Sequence, residues 1–583
     1  MADVETLPAA NSAQRLNVAD RLSAFARTVP DLLAVICPLR HRAKTSTPRR
    51  GSSGAEYDTI TFADLEADVA KIAAGLAAWG VPKGTRLALL VRPGVDFVAL
   101  VFALLRAGMV IVLVDPGLGR RNLIRCLSEA KPEGFVAISA AQAVRTLLRN
   151  RFPKARWNVT VGRRWFWRGK TLDSLRAMGS ASRSSKQPTT VTNATDEAAI
   201  IFTSGSTGVP KGVLYTQQMF DTQVADIQAM YGIKPRGIDL ACFPLFALFN
   251  AAMGVTTVFP DMDFSRPASA DPRKLLAAAN DWHVDQAFAS PAVWRMLGDY
   301  CSHSGQRIDS LRQVFSCGAP VSADVLRQTL TCVARDAKMH TPYGATECLP
   351  VATIEAAEVL KETAAATRAG AGVCVGRKFD SIDWRLIPIT DDPISSLEAV
   401  NNVPPGEVGE LIVRGPQVSP AYLTRLEVNA QAKIAGDEGQ WHRTGDVGYF
   451  DKNDRFWYCG RKSQRLETSE GPLFTECIEP LFNSVPGVIR AALVGVGPRE
   501  KQTPVIVYEL AKVVAPTGLP PDRSDSIVDR LRAVATTHDQ TRLIQSFLAY
   551  PKLPTDVRHN AKINRELLAA WAWKQSRPHD SAR

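Results

Sequence analysis

One segment of the chain has residue types suited to handling phosphate. In AAIIFTSGSTGVPKGVLYT (Ala198 to Thr216) an apolar run, Ile200 to Phe202, leads into Thr203, Ser204, Gly205, Ser206, Thr207 and Gly208, then Pro210, Lys211 and Gly212. Glycines let backbone N–H groups converge on an anion, and the hydroxyls supply further donors. Lys211 adds a mobile positive charge. The loop reads as a phosphate cradle but not as a Walker A motif, because Gly212 follows the lysine where Ser or Thr is required. The ten cysteines are scattered with no C-x-x-C pair, which points to buried, reduced thiols rather than a zinc site or a disulfide framework.

The elements that must position this loop are legible from hydrophobic patterning. Arg86 to Val91 is a continuous apolar run, Val95 to Leu105 reads as a helix, and VIVLV (Val110 to Val114) is a second strand. Strands apolar throughout belong to parallel sheets covered on both faces. The stretch Phe97 to Asp115 approaches the length of a membrane span, but Arg106, Gly108 and a β-branched second half favour helix, glycine break and buried strand. The alternation returns with a strand at Gln286 to Ser290, a helix from Pro291, a strand ending at Ser316 and a helix from Ser322. The expected class is therefore α/β with doubly wound sheets. After about residue 370 short strands joined by turns suggest a small β-barrel, with Lys452–Asn453–Asp454 as a hairpin loop. A mobile α+β domain is expected over 461–583, after an N-terminal domain over 1–460.

Six ordered motifs resemble the acyl-adenylating superfamily of acyl-CoA synthetases, adenylation domains and luciferases. They are the loop at Thr203, SCGAP (Ser316 to Pro320), TPYGATE (Thr341 to Glu347), HRTGDVGYF (His442 to Phe450), GRKSQR (Gly460 to Arg465) and LPTDVRHNAKINRELL (Leu553 to Leu568). The resemblance implies ATP and Mg²⁺ as cofactors and a set of roles. Gly318, Ala319 and Pro320 would border adenine; Tyr343, with Gly344 and Ala345, would stack on it. Thr346 and Glu347 would approach the phosphates, Thr203 and Glu347 would meet Mg²⁺, Asp446 the ribose, and Arg461 the nucleotide. Lys562 would be the catalytic lysine, delivered by domain closure to charge building on the α-phosphorus. Without the family, Lys562 reads as an exposed lysine at a helix start.

The hinge region departs from acyl-CoA synthetases. Ser463 stands at a usually acidic position, Glu467 replaces a lysine, and Glu467 to Pro480 lacks the basic residue of the thioester half-site. FPLFALFN (Phe243 to Asn250), VFPDMDFSRPA (Val258 to Ala268), YGATECLPVA (Tyr343 to Ala352) and VRHNAKI (Val557 to Ile563) instead resemble the β-lactone synthetases of bacterial long-chain olefin biosynthesis. That likeness implies a long-chain 2-alkyl-3-hydroxy fatty acid as substrate, no need for coenzyme A, and other enzymes of that pathway as candidate partners in a complex. Phe243, Phe246, Phe249 and Met253 would line an acyl pocket; as residue types alone they are equally plain core. His442, nearest the nucleotide motif, is the first candidate for the base that takes the hydroxyl proton. The alternatives are an acyl-CoA or acyl-carrier-protein ligase and, more remotely, a non-catalytic nucleotide-binding scaffold, against which intact Lys211, Glu347, Asp446 and Lys562 argue.

Bulk properties agree with a large nucleotide-using enzyme. The 583 residues carry a net charge of +12, which favours anionic partners without identifying one. Nucleic acid is not expected, since charge alone supports it. The N-terminus has early acids and no apolar core, so a cytoplasmic protein without a secretory signal or transmembrane segment is expected. Arg145 to Lys170 holds nine Lys or Arg, no acid, and Trp157, Trp165, Phe166 and Trp167. It reads as a solvated surface or as a docking site for an anionic membrane or acidic partner.

Overall fold

The computed structural model describes residues 15–39, 46–182, 190–203, 209–511, 524–555 and 563–576. Two sheets build the first part of the molecule. One orders its strands Gly212–Thr216, Glu197–Phe202, Val110–Leu113, Arg86–Leu90, Gly134–Ile138, Trp157–Val161 and Lys170–Thr171, parallel except for the first pair. The other runs Lys338–His340, Gln313–Ser316, Gln286–Ala289, Ile238–Ala241, Thr256–Val258 and Leu33–Pro38 in parallel, then turns antiparallel through Glu56–Thr61 and Thr47–Arg50.

Helices lie between these sheets. Val95–Arg106 is buried except at Asp96, and its largely apolar surface is accounted for by packing on both sides. Gly108, at φ 68°, breaks the chain before the buried strand Val110–Leu113. The membrane-span-like stretch is thus helix, break and strand. No helix among the described residues is long and apolar enough to cross a membrane. The second alternation also appears as read: helix Pro291–Ser304 with proline at its first turn, and helix Ala323–Thr331 capped by the Ser322 hydroxyl accepting from Val325 N–H.

The third sheet is antiparallel and begins earlier than the barrel expected from about residue 370. Its order is Tyr343–Ala345, Cys348–Thr353, Val373–Lys378, Phe456–Arg461, Trp441–Phe450, Gly409–Arg414 and Asp383–Ile387, with Lys433–Ile434 added beside Trp441–Phe450. The first and last strands are not paired with each other, so the hydrogen bonding is an open path rather than a closed ring. The hairpin joining Trp441–Phe450 to Phe456–Arg461 turns through Asp454 at φ 58°, with Asp451 Oδ1 accepting from Asn453 and Arg455 N–H.

Beyond it come the hairpin Leu466–Thr468/Gly471–Leu473, helix Thr475–Asn483, the sheet Val488–Val496, Thr503–Leu510, Ser546–Ala549, and helices Ser524–Thr537 and Arg565–Ser576. Gly460 sits at φ 142°, and a Cβ there would meet Thr475 Oγ1 at 2.7 Å, so the strand end and the helix start approach through a glycine. Charge also crosses at this point. Lys462 Nζ reaches Glu410 Oε2 at 2.9 Å, and the same buried carboxylate takes Arg443 at 2.5 Å.

Candidate active site

The edges of all three sheets and the segment after Gly460 enclose one cavity of about 2190 Å³. Ordinary small-ligand pockets hold about 300–1,000 Å³, so this one has room for more than a nucleotide. Its wall includes Thr203, Lys211, Gly318, Ala319, Pro320, Tyr343, Gly344, Ala345, Thr346, Glu347, Asp446 and Arg461. Residues from five separate sequence motifs therefore converge. Ser204, Gly205, Ser206, Thr207, Gly208 and Lys562 lie outside the described residues.

Local geometry explains why these side chains face inward. Strand Glu197–Phe202 ends at Thr203, whose N–H donates to the Lys211 carbonyl at 3.0 Å, while its Oγ1 accepts from Lys211 N–H at 3.1 Å. These two bonds close the neck of the loop. The Lys211 ammonium lies 4.7 Å from the Tyr422 ring centre, a cation–π contact. Burial holds its pKa below the usual lysine value; Glu347 opposes that shift, and Arg461 and Arg425 reinforce it. Tyr422 OH donates to Glu347 Oε1 at 2.6 Å and fixes that carboxylate at the cavity wall. Tyr215 OH donates to the Thr346 carbonyl at 2.7 Å. The backbone at Gly344 is crowded: a Cβ there would stand 2.7 Å from the Cys348 carbonyl.

The next group is a linked trio. Tyr343 OH donates to Asp446 Oδ2, and Arg461 Nε pairs with Asp446 Oδ1 at 2.9 Å. Burial, then the Asp446 charge and its hydrogen bond, push the Tyr343 hydroxyl well above its ordinary pKa, so it is a firm donor. Arg461 also donates to the Thr444 carbonyl at 3.0 Å. Glu347 and Thr203 present hard oxygen donors, the kind Mg²⁺ takes together with substrate phosphates. That donor set fits the ion.

An apolar wall continues from the polar end. Phe243, Phe246 and Phe249 line the cavity with Phe220 and Phe288, and Phe246 stacks on Phe288 at 3.9 Å between ring centres. Met253 does not join them. It lies at the last residue of helix Phe246–Met253, where the helix has left the main cavity, and borders a separate void of about 50 Å³ with Ile227, Tyr231 and Asn250.

His442 is likewise not part of the cavity wall. Strand Lys433–Ile434 pairs over it, Lys433 opposite His442, and its Nδ1 lies 3.1 Å from the Ala432 carbonyl. Burial, with the nearby charge of Lys433, holds its pKa well below the ordinary value. Buried under that strand and outside the cavity, its ring is not placed to take a proton from a substrate held there. Two residues the motifs did not flag are in the wall or against it: Tyr422, which anchors Glu347, and Glu476 at the start of helix Thr475–Asn483. Burial, then the charge of Glu479, raise the Glu476 carboxyl to about 7 against the opposing pull of Arg565.

A model of the AMP-binding enzyme family matches residues 24–423. The chain belongs to the AMP-binding enzyme family. It is accordingly an AMP-forming ligase that uses ATP. Over 566 residues it is 46% identical to an olefin β-lactone synthetase of Xanthomonas campestris pv. campestris, covering 96% of this chain and 98% of the relative. An olefin β-lactone synthetase of Stenotrophomonas maltophilia is 45% identical over 564 residues, covering 95% and 98%. Among solved structures, the O-succinylbenzoate coenzyme A synthetase of Bacillus subtilis, in complex with ATP and magnesium ion, aligns with a TM-score of 0.68 at 19% identity, over 94% of this chain and 98% of that one. The amide bond synthetase of Marinactinospora thermotolerans gives 0.73 at 20% identity, over 95% and 99%. These two likenesses establish the adenylate-forming fold.

Proposed function

We propose that this AMP-binding enzyme adenylates the carboxylate of a long-chain 2-alkyl-3-hydroxy fatty acid and then closes it to a β-lactone. The observation that carries this reading is the single cavity. It joins a nucleotide end, built by Lys211, Glu347, Tyr343, Asp446 and Arg461, to an aromatic wall of Phe243, Phe246, Phe249 and Phe288. The likeness to olefin β-lactone synthetases supports the product.

In the first step a carboxylate oxygen bonds to the α-phosphorus of ATP and the bond to pyrophosphate breaks. The 3-hydroxyl oxygen then bonds to the acyl carbon, the acyl–phosphate bond breaks, and AMP leaves. Asp446 and Tyr343 would seat ribose and adenine, and Lys211 would meet the phosphates. Mg²⁺, held by Glu347 and Thr203, would neutralise the triphosphate. Lys562 would arrive by movement of the segment after Gly460 and stabilise the pentacoordinate phosphorus. Because the nucleophile is tethered, ring closure needs no second association event. The hydroxyl proton needs an acceptor, and Glu476 is the cavity carboxyl whose affinity near 7 suits that transfer.

The test is product analysis by NMR after incubation with ATP, Mg²⁺ and a racemic 2-alkyl-3-hydroxy acid, with and without coenzyme A. A β-lactone and AMP in the tube without coenzyme A are expected. A thioester formed only when coenzyme A is present would make the enzyme an ordinary acyl ligase.

A further inference from the structure

The reaction leaves one surface unexplained, and it lies at the cavity's far end. The cavity wall continues past the nucleotide along the ends of the first parallel sheet, through Leu89 to Phe97, to Ile138–Ala141 and Val161–Gly162. Directly after Gly162 the chain forms a projecting loop. Trp165 is 64% exposed and Phe166 76%, while Trp167 between them and the sheet is buried, its Nε1 donating to Thr160 Oγ1 at 2.9 Å. Trp165 stacks on Trp167 at 6.2 Å, and Phe166 meets it edge-on at 5.3 Å. Arg164 bonds the Gly169 carbonyl, and Ser139 Oγ ties the loop to its neighbour by donating to the Arg163 carbonyl at 2.5 Å. The two exposed rings are therefore held out by a buried anchor.

The neighbouring helix, Ser139–Leu147, starts beside the loop and runs back along the sheet away from it. At 1.5 Å per residue Leu147 lies about 12 Å from Ser139, and it is 80% exposed. Arg163, Arg164 and Arg168 are exposed on the loop itself, and Arg149, Arg151, Lys154 and Arg156 are exposed before the other end of strand Trp157–Val161, in a stretch without a single acid. Exposed aromatic tips flanked by cations form the arrangement of an interfacial lipid anchor: the rings enter the headgroup layer while the cations meet anionic lipid.

We propose that this surface docks the enzyme on anionic lipid bilayers, with the Val161–Gly162 end of the cavity facing the bilayer. The choice of a bilayer over another polyanion follows from the exposed Trp165 and Phe166 and from the cavity that reaches the base of the loop. The purpose of docking, exchange of a long-chain substrate or product with the membrane, rests on the function proposed above; the docking itself does not.

The experiment is sedimentation of the full-length protein with vesicles of phosphatidylcholine alone and of phosphatidylcholine with phosphatidylglycerol, at low and high salt. The protein is expected to sediment with the anionic vesicles and to be released by salt. Trp165→Ala/Phe166→Ala should weaken partitioning about tenfold or more, each ring losing its burial in the interface. Arg163→Glu/Arg164→Glu, which leaves the aromatic tip in place, should abolish the preference for anionic lipid. Unchanged ATP–pyrophosphate exchange with a short, soluble acid shows that both variants fold. Binding equal on neutral and anionic vesicles, no binding, or full binding by both variants would overturn the proposal. So would tight binding of a single-stranded oligonucleotide with none to vesicles, which would make the rings a base-stacking surface. Docking without lactone formation would sink only the proposed function, and lactone formation without docking only this inference.

Discussion

Removing the Asp446 carboxylate tests the nucleotide end of the site most sharply, because its partners are known. In the structure it accepts from Tyr343 OH and pairs with Arg461. If it also accepts from the ribose hydroxyls, hydrogen bonds to a charged group are worth about 1.5–3 kcal/mol, so Asp446→Ala should weaken ATP binding roughly ten- to hundredfold. Stability falls too, by less than the roughly 3–5 kcal/mol of a fully buried broken pair, because water can reach Arg461; about 1–2 kcal/mol is expected. The Arg461 side chain is 34% exposed. Lost affinity by itself would not separate a ribose contact from a disturbed pocket. The assay is therefore calorimetric titration of wild type and variant with ATP and with 2′,3′-dideoxy-ATP. Wild type should discriminate between the two nucleotides, and the variant should not. A discrimination ratio that survives the substitution would refute the ribose assignment and leave Asp446 as the residue that positions Tyr343 and Arg461.

Lys562→Ala should lower the rate of ATP–pyrophosphate exchange on the order of a hundredfold or more while ATP affinity holds, and unchanged AMP release would remove this lysine from the mechanism. Phe246→Ala should raise KM for the fatty acid without moving KM for ATP, whereas Met253→Ala should lower the melting temperature with little effect on either KM; the reverse pattern would contradict the cavity as described. For Glu476 the raised pKa fixes the sign: the carboxylate form is scarce below about 7 and accumulates above it, so lactone formation should rise through that pH. Glu476→Gln should flatten that rise and slow ring closure while pyrophosphate exchange persists, and an unaltered pH profile would exclude the residue as proton acceptor.

Patterning along the chain sufficed for the elements that carry the motifs. The run Ile200 to Phe202 had to be a buried strand, the glycine-rich turn had to follow it, and Phe97 to Asp115 resolved into helix and strand because Arg106 and Gly108 interrupt it. Thr203, Lys211, Glu347, Tyr343, Asp446 and Arg461, which the motifs single out, line one cavity. Orientation across the fold was not legible in the same way. His442 is four residues from Asp446, but a two-residue strand, Lys433–Ile434, closes over it, and nothing local in the sequence predicts that pairing. Tyr422 reaches Glu347 across 75 positions, with no motif around it. Glu476 owes its raised pKa to burial and to Glu479, one helical turn on, properties of the assembled site rather than of the string ETSEGPLFTECIEP.

In the proposed reaction the acid is activated at its carboxylate and closed by its own hydroxyl. Tracing oxygen tests that directly. With a 2-alkyl-3-hydroxy acid labelled with ¹⁸O in the carboxylate and unlabelled at the hydroxyl, one labelled oxygen should leave with AMP and one should remain in the lactone carbonyl. The ring oxygen should be unlabelled. Unlabelled AMP, with both heavy oxygens retained in the lactone, would mean that the hydroxyl had been activated instead, and would contradict the mechanism.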